Sequence, residues 1–128
     1  ERINNELYTE RFNAPTIHFT DSNYNFFTPN DTGTGIAYKG LVVFDLAIMH
    51  LTKLPILVHD SVVLKQISDD AVESIINQYI SCGKQVVIAL DKQESYSDKT
   101  AEMLTQYAKL RLSPNGEELF GRSWGKKQ

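Results

Sequence analysis

The sequence predicts an α/β fold, and three observations carry that prediction. Residues 54–58 (LPILV) and 86–90 (VVIAL) are continuous apolar runs with the length and β-branched content of buried strands. Between them, Val72, Ile75, Ile76, Tyr79 and Ile80 form one apolar stripe at helical spacing. Strand, helix, strand in that order, with apolar rather than alternating strands, indicates a parallel sheet covered on both faces.

Each element has a local cause. Residues 1–13 are polar with scattered Ile3, Leu7, Tyr8 and Phe12, a pattern expected of the end of a preceding helix or coiled coil, and Pro15 closes it. Residues 16–20 and 24–28 are rich in β-branched and aromatic side chains and flank Asp21, Ser22 and Asn23, the turn chemistry of a β-hairpin. Pro29, Asn30, Asp31, Thr32, Gly33, Thr34 and Gly35 make a polar, glycine-bearing loop. It opens into residues 36–51, which are too long an apolar run for a strand and suit a helix covered on most sides. Pro55 is tolerated at the start of the strand at 54–58, where a ladder donor is dispensable. Asp70 and Glu73 have the spacing of a capping box for the next helix, and Gly83 supplies its left-handed stop. A third helix over residues 98–109, a short strand at 110–112 and a turn at Pro114, Asn115 and Gly116 follow. Phe120 and Trp124 are expected to fold the tail onto the core.

Composition bounds the function. With 128 residues, 41% apolar, the chain suffices for one domain with a real core. A net charge of −3 argues against an electrostatic nucleic-acid clamp, and Lys126 and Lys127 read as a solvated end. One cysteine, Cys82, forbids an internal disulfide and suits a reducing, cytoplasmic setting. Residues 41–51, the longest apolar stretch, are too short to span a bilayer and are broken by Asp45. The chain opens at Glu1 rather than Met, as expected of a piece cut from something longer.

Two features carry candidate chemistry. The strand of Ile56, Leu57 and Val58 ends in His59 and Asp60, and an acidic residue at the carboxyl edge of a strand is where α/β sheets place ligands. In P-loop ATPases this is the Walker B position, where the aspartate holds magnesium directly or through water; an aspartate at a strand end is more often a helix cap or turn residue. The glycine loop at a helix start offers backbone amides to an anion, or simply turns tightly. It is no Walker A loop, because no Gly-Lys-Ser/Thr follows, and it is no Rossmann fingerprint. His18 and His50 lack metal-ligand spacing, Ser61 lacks the glycines of a nucleophile elbow, and Cys82, Phe26, Phe27, Tyr38 and Phe44 read as core.

The order of these pieces resembles the C-terminal half of an ABC-type head, as in SMC-like and RecN-like ATPases whose P-loop and Walker B halves are separated by a coiled coil. More closely, Tyr24-Asn25-Phe26, the loop from Asp31 to Gly35, residues 41–47 (LVVFDLA), 54–61 (LPILVHDS) and 87–92 (VIALDK) resemble the bacterial domain-of-unknown-function family 2326. The resemblance covers residues 12 to 122. It implies that residues 14–128 are the C-terminal lobe of a split ATPase head, cytoplasmic and without a membrane segment. The implied partners are an N-terminal P-loop lobe of the same protein and a second head in a head-to-head homodimer. A DNA-associated or phage-defence assembly is the implied setting, with ATP and magnesium as cofactors.

By position, Thr32, Gly33, Thr34 and Gly35 stand where the signature loop lies, with Lys39 one helical turn on, either assisting or solvated. Asp60 stands as the Walker B carboxylate and magnesium ligand, Asp69 near the dimer-facing loop or as a helix cap, and Asp91 at the switch position. The family pattern of ABC ATPases has a catalytic glutamate where this chain has Ser61, and a switch histidine where it has Asp91. Hydrolysis is then expected to be slow, to use His59 or Asp91 instead, or to be absent. The competing expectations are a degenerate head serving as a protein-interaction module and a free-standing flavodoxin-like or Rossmann-like domain, for which there are too few parallel strands.

Overall fold

The structure, a computed structural model, describes residues 1–7, 12–91, 95–114 and 116–122. Tyr8, Lys92, Asn115 and Trp124, with Lys126 and Lys127, lie outside the described residues, so the expected packing of Trp124 has no structural counterpart here. The chain forms two compact units, Glu1–Tyr96 and Ser97–Gln128.

The first unit is a mixed α/β domain with two short sheets. Helix α1 (Arg2–Leu7) is followed by the antiparallel pair β1 (Thr16–Phe19) and β2 (Tyr24–Phe27), in the register Thr16 to Phe27 and Phe19 to Tyr24. The hairpin closes through Thr20, whose amide and hydroxyl both donate to the Asn23 carbonyl. Helix α2 (Thr34–Leu51) is the central element, and its Val42, Val43, Leu46 and Met49 are buried. It leads to β3 (Ile56–His59), the short helix α3 (Ser61–Leu64), helix α4 (Asp69–Ser81) and β4 (Gln85–Ile88). Strands β3 and β4 pair in parallel, Ile56 opposite Gln85 and His59 opposite Ile88.

The core is helical. Ile3 and Leu7 of α1 close onto α2 and α4, where Ala71, Val72, Ile75, Ile76 and Tyr79 line the inner face of α4. On the other side of α2 the hairpin lies close, with the Phe26 ring edge-on to Phe44 at 5.5 Å between centroids. Lys84 donates to the Met49 and Thr52 carbonyls at the end of α2, a cation at the negative pole of the helix. By length and composition α2 is long and apolar enough to cross a membrane, longer than the apolar stretch at 41–51, yet it is the core helix of this domain.

Several expectations are corrected. The sheet is not covered on both faces. Leu57, His59, Val86 and Ile88 turn inward, but Ile56, Val58 and Val87 are 43%, 64% and 45% exposed. Helix α4 starts after Ser68, whose side chain makes no capping hydrogen bond, rather than at a box of Asp70 and Glu73, and Asp69 and Asp70 lie in its first turn, where their charge meets the positive helix pole. Gly83 does adopt the left-handed conformation, with φ +69°. Phe27 of the hairpin is exposed and Cys82 is half-buried, its thiol donating to the Tyr79 carbonyl.

The second unit holds α5 (Asp98–Tyr107), capped by Ser97, whose hydroxyl accepts from the Thr100 amide at 3.4 Å. Residues 110–112 form no strand; instead Ser113 and Glu117 make one isolated bridge. Phe120 is largely exposed rather than folded onto a core.

Gly35, in the first turn of α2, is required by a close approach rather than by its φ. A Cβ there stands 2.6 Å from the carbonyl oxygen of Gln66. Because that neighbour is backbone, Gly35→Ala is expected to cost about 1–3 kcal/mol, as overpacking does. A lowered urea midpoint with unchanged slope is the expected result; an unchanged midpoint would show that the two segments separate freely.

Candidate functional site

At the carboxyl edge of the parallel pair, both strands run into acidic residues. Asp60 follows β3 directly, and Asp91 lies just past β4. Asp60 is exposed and caps α3: its Oδ1 accepts from the Val62 amide at 3.0 Å and from the Ser61 hydroxyl at 3.2 Å. The cap is a local consequence of sequence, since a carboxylate one residue before a helical turn satisfies an otherwise orphaned amide. It engages one carboxylate oxygen and leaves Oδ2 at the edge.

Asp91 forms an ion pair with Lys65, which sits at the end of α3. These residues wall a cavity of about 20 Å³ together with Ser61, Leu64, Asp69, Leu90 and Tyr96. That volume is about the size needed for one water, and the lining is polar enough to hold it. Burial, and then the carboxylates of Asp69, Asp91 and Glu73, push the pKa of the Tyr96 phenol up.

The glycine loop meets the segment after α3 where Gly35 approaches the Gln66 carbonyl. Within it, Asp31 Oδ1 accepts from the Gly33 amide at 3.0 Å, and Asn30 takes a positive φ of 60°. Gly33 caps α2 with its backbone alone, and Thr32, Gly33 and Thr34 are exposed. Lys39 is not on this surface. Its side chain is fully buried, with Nζ 5.3 Å from the centre of the Phe12 ring. Burial lowers its pKa, and the nearby Asp31 carboxylate partly offsets the shift.

His59 also turns inward and is only 6% exposed. Its Nδ1 lies 2.5 Å from the Tyr79 hydroxyl and its Nε2 lies 2.9 Å from Asp45 Oδ2. The ring thus joins β3 to α2 and α4. Neither Asp45 nor Tyr79 was singled out from the sequence for a polar role. The available signal was Asp45 itself, a carboxylate amid the apolar residues of a core helix, which requires a partner.

Tyr79 gives a pH prediction. Burial, and secondarily Asp45, raise its pKa well above the ordinary 10.0. The folded state therefore holds the phenol proton more tightly than the unfolded chain. Stability from this source is complete below about pH 10 and is lost as pH rises further. Urea unfolding from about pH 9 to about pH 11 should show a steep alkaline decline that Tyr79→Phe flattens. Parallel declines for the two proteins would exclude Tyr79 as the cause.

The structure thus brings Asp60, Ser61, Asp69 and Asp91 to one edge, sets Gly35 of the loop against the Gln66 backbone, and turns His59 and Lys39 away. Among the described residues, no group of three His, Cys, Asp or Glu side chains could hold a metal by itself.

The family described as an uncharacterised protein conserved in bacteria, DUF2326, matches residues 3–124. No curated protein and no solved structure matches the chain.

Proposed function

This chain belongs to the DUF2326 family, and we propose that it is the C-terminal lobe of a split, ABC-type and SMC-like ATPase head, completed by an N-terminal P-loop lobe of the same protein. The observation that carries the proposal is the β3–β4 pair. Two parallel four-residue strands, with Ile56, Val58 and Val87 exposed on one face, are too little sheet to be stable uncovered. The same strands end in Asp60 and Asp91, at the edge where open α/β sheets bind ligands. A lobe that covers the apolar face and extends the sheet would also complete that edge.

Asp60 would hold magnesium, directly or through water. The described residues offer no three-ligand cluster, so the other ligands would be phosphate oxygens and water, which suits an ion that dehydrates reluctantly. When bound, magnesium neutralises charge on the phosphate oxygens. The chain's own residues do the rest: the α3 cap fixes the Asp60 carboxylate, and the Thr34 and Gly35 amides would meet an anion at the start of α2, the Gly33 amide being held by Asp31. In a head-to-head homodimer that anion is the γ-phosphate on the opposite head. Lys39, buried beneath Phe12, supports the loop from behind. DNA association, phage defence and a cytoplasmic location belong to the same proposal and rest on the family resemblance.

A second function is favoured by three particulars. Asp60 is engaged as a cap, Asp91 is paired with Lys65, and Ser61 occupies the position of the carboxylate base. Those features suit a degenerate head that docks partners without turnover. Magnesium-dependent ATP hydrolysis separates the two. The isolated chain is expected to show none, and hydrolysis should appear with the P-loop lobe present. Vigorous turnover by this chain alone would sink the split-head proposal, and none in the complete protein would leave the docking module.

A further inference from the structure

His59 is a buried polar side chain that the proposed nucleotide chemistry does not use, yet it is the residue immediately before Asp60. The end of β3 is tied to β4 by the backbone ladder, in which His59 lies opposite Ile88, and by the Ala89 amide donating to the His59 carbonyl at 3.1 Å. A further tie, to the helices, is the imidazole, held by Asp45 of α2 and Tyr79 of α4. An ionised Asp45 only accepts, so Nε2 carries the proton toward it; Nδ1 then accepts from the Tyr79 hydroxyl. In this arrangement every polar atom of the ring is satisfied with the imidazole neutral.

We infer that Asp45, His59 and Tyr79 form a positioning unit that fixes the carboxyl end of β3 and thereby sets Asp60 and Ser61 at the candidate edge. Its consequence for activity rests on the proposed nucleotide site; its geometry does not. His59 is a positioning residue, since its ring faces away from the edge. A catalytic carboxylate displaced by about 1 Å loses on the order of a hundredfold in rate, so a tie at the adjacent residue matters.

The test combines nitrogen-detected NMR of the histidine ring with kinetics of the complete protein. The expected spectrum is a neutral His59 protonated on Nε2. Tyr79→Phe and Asp45→Ala should each shift the Val62 amide, which reports the Asp60 cap, in protein that remains folded. Asp45→Asn keeps an oxygen acceptor for Nε2 and should restore the Val62 signal. In the complete protein, Asp45→Ala should lower kcat about tenfold with KM within about twofold, and Asp45→Asn should recover it. If Asp45→Ala does not fold, Tyr79→Phe, which removes one hydroxyl, decides the matter. A ring protonated on Nδ1, or a Val62 amide unmoved in the folded variants, would overturn the inference even if the protein hydrolyses ATP. Wild-type protein without turnover but with the expected NMR behaviour would remove the nucleotide site and leave the positioning unit in place.

Discussion

Asp60→Asn in the complete protein is expected to reduce magnesium-dependent ATP turnover by about a hundredfold or more, the scale seen when one preorganised electrostatic group is lost from a reacting centre. The choice of asparagine matters. Asp60 caps α3 through Oδ1, and asparagine caps a helix about as well as aspartate, so the fold should be kept while the carboxylate charge is lost. Asp60→Ala removes both, adding about 1 kcal/mol of instability from the lost cap to the same loss of turnover. Steady-state hydrolysis alongside thermal melting separates the contributions. A melting temperature unchanged in Asp60→Asn with turnover lost assigns the carboxylate to magnesium. Unchanged turnover in both variants would leave Asp60 a helix cap and nothing more.

Val58→Asp should produce the second large effect, this time on assembly. Val58 is 64% exposed on the outer face of β3, between Ile56 and the inward-facing His59, so the lone chain can carry a carboxylate there with little loss of stability. If the P-loop lobe covers this face, the same carboxylate becomes a buried and unpaired charge, at a cost of about 3–5 kcal/mol. Association of the two lobes should weaken by about a hundredfold or more, with the melting temperature of the isolated chain nearly unchanged. Val87→Asp, on the neighbouring strand of the same face, should behave alike. Retained association in both variants would show that the partner, if any, binds elsewhere.

The exposed face also marks the limit of what could be read from the residues alone. The runs at 54–58 and 86–90 are apolar on both sides, a pattern that predicts cover on both faces, whereas in this chain Ile56, Val58 and Val87 stay exposed. The hairpin was legible because Asp21, Ser22 and Asn23 separate two β-rich runs, and the α4 stop was legible because Gly83 follows the apolar stripe. The start of α4 was misplaced: Asp70 and Glu73 have capping-box spacing, but the chain enters the helix one residue before Asp69, at Ser68. Helix α3 was missed because four residues are too few for any periodicity to show.

The candidate site was half legible. Asp60, Ser61 and Asp91 could be placed at one edge because strand ends in a parallel sheet share an edge. Lys65 and Tyr96 could not, since their approach to Asp91 and Asp69 depends on how the chain turns after each strand. Lys39 looked like a surface cation one turn into a helix and is buried under Phe12 instead, 27 positions away in sequence (39 − 12). The partners of His59 lie 14 and 20 residues from it on two different helices, distances that no local pattern spans.

Calorimetric titration of ATP and magnesium, first into this chain and then into its mixture with the P-loop lobe, tests the central claim most directly. The split-head proposal predicts no heat of binding for the chain alone and saturable binding for the mixture. Saturable binding by the chain alone would contradict it and make this a self-contained nucleotide domain.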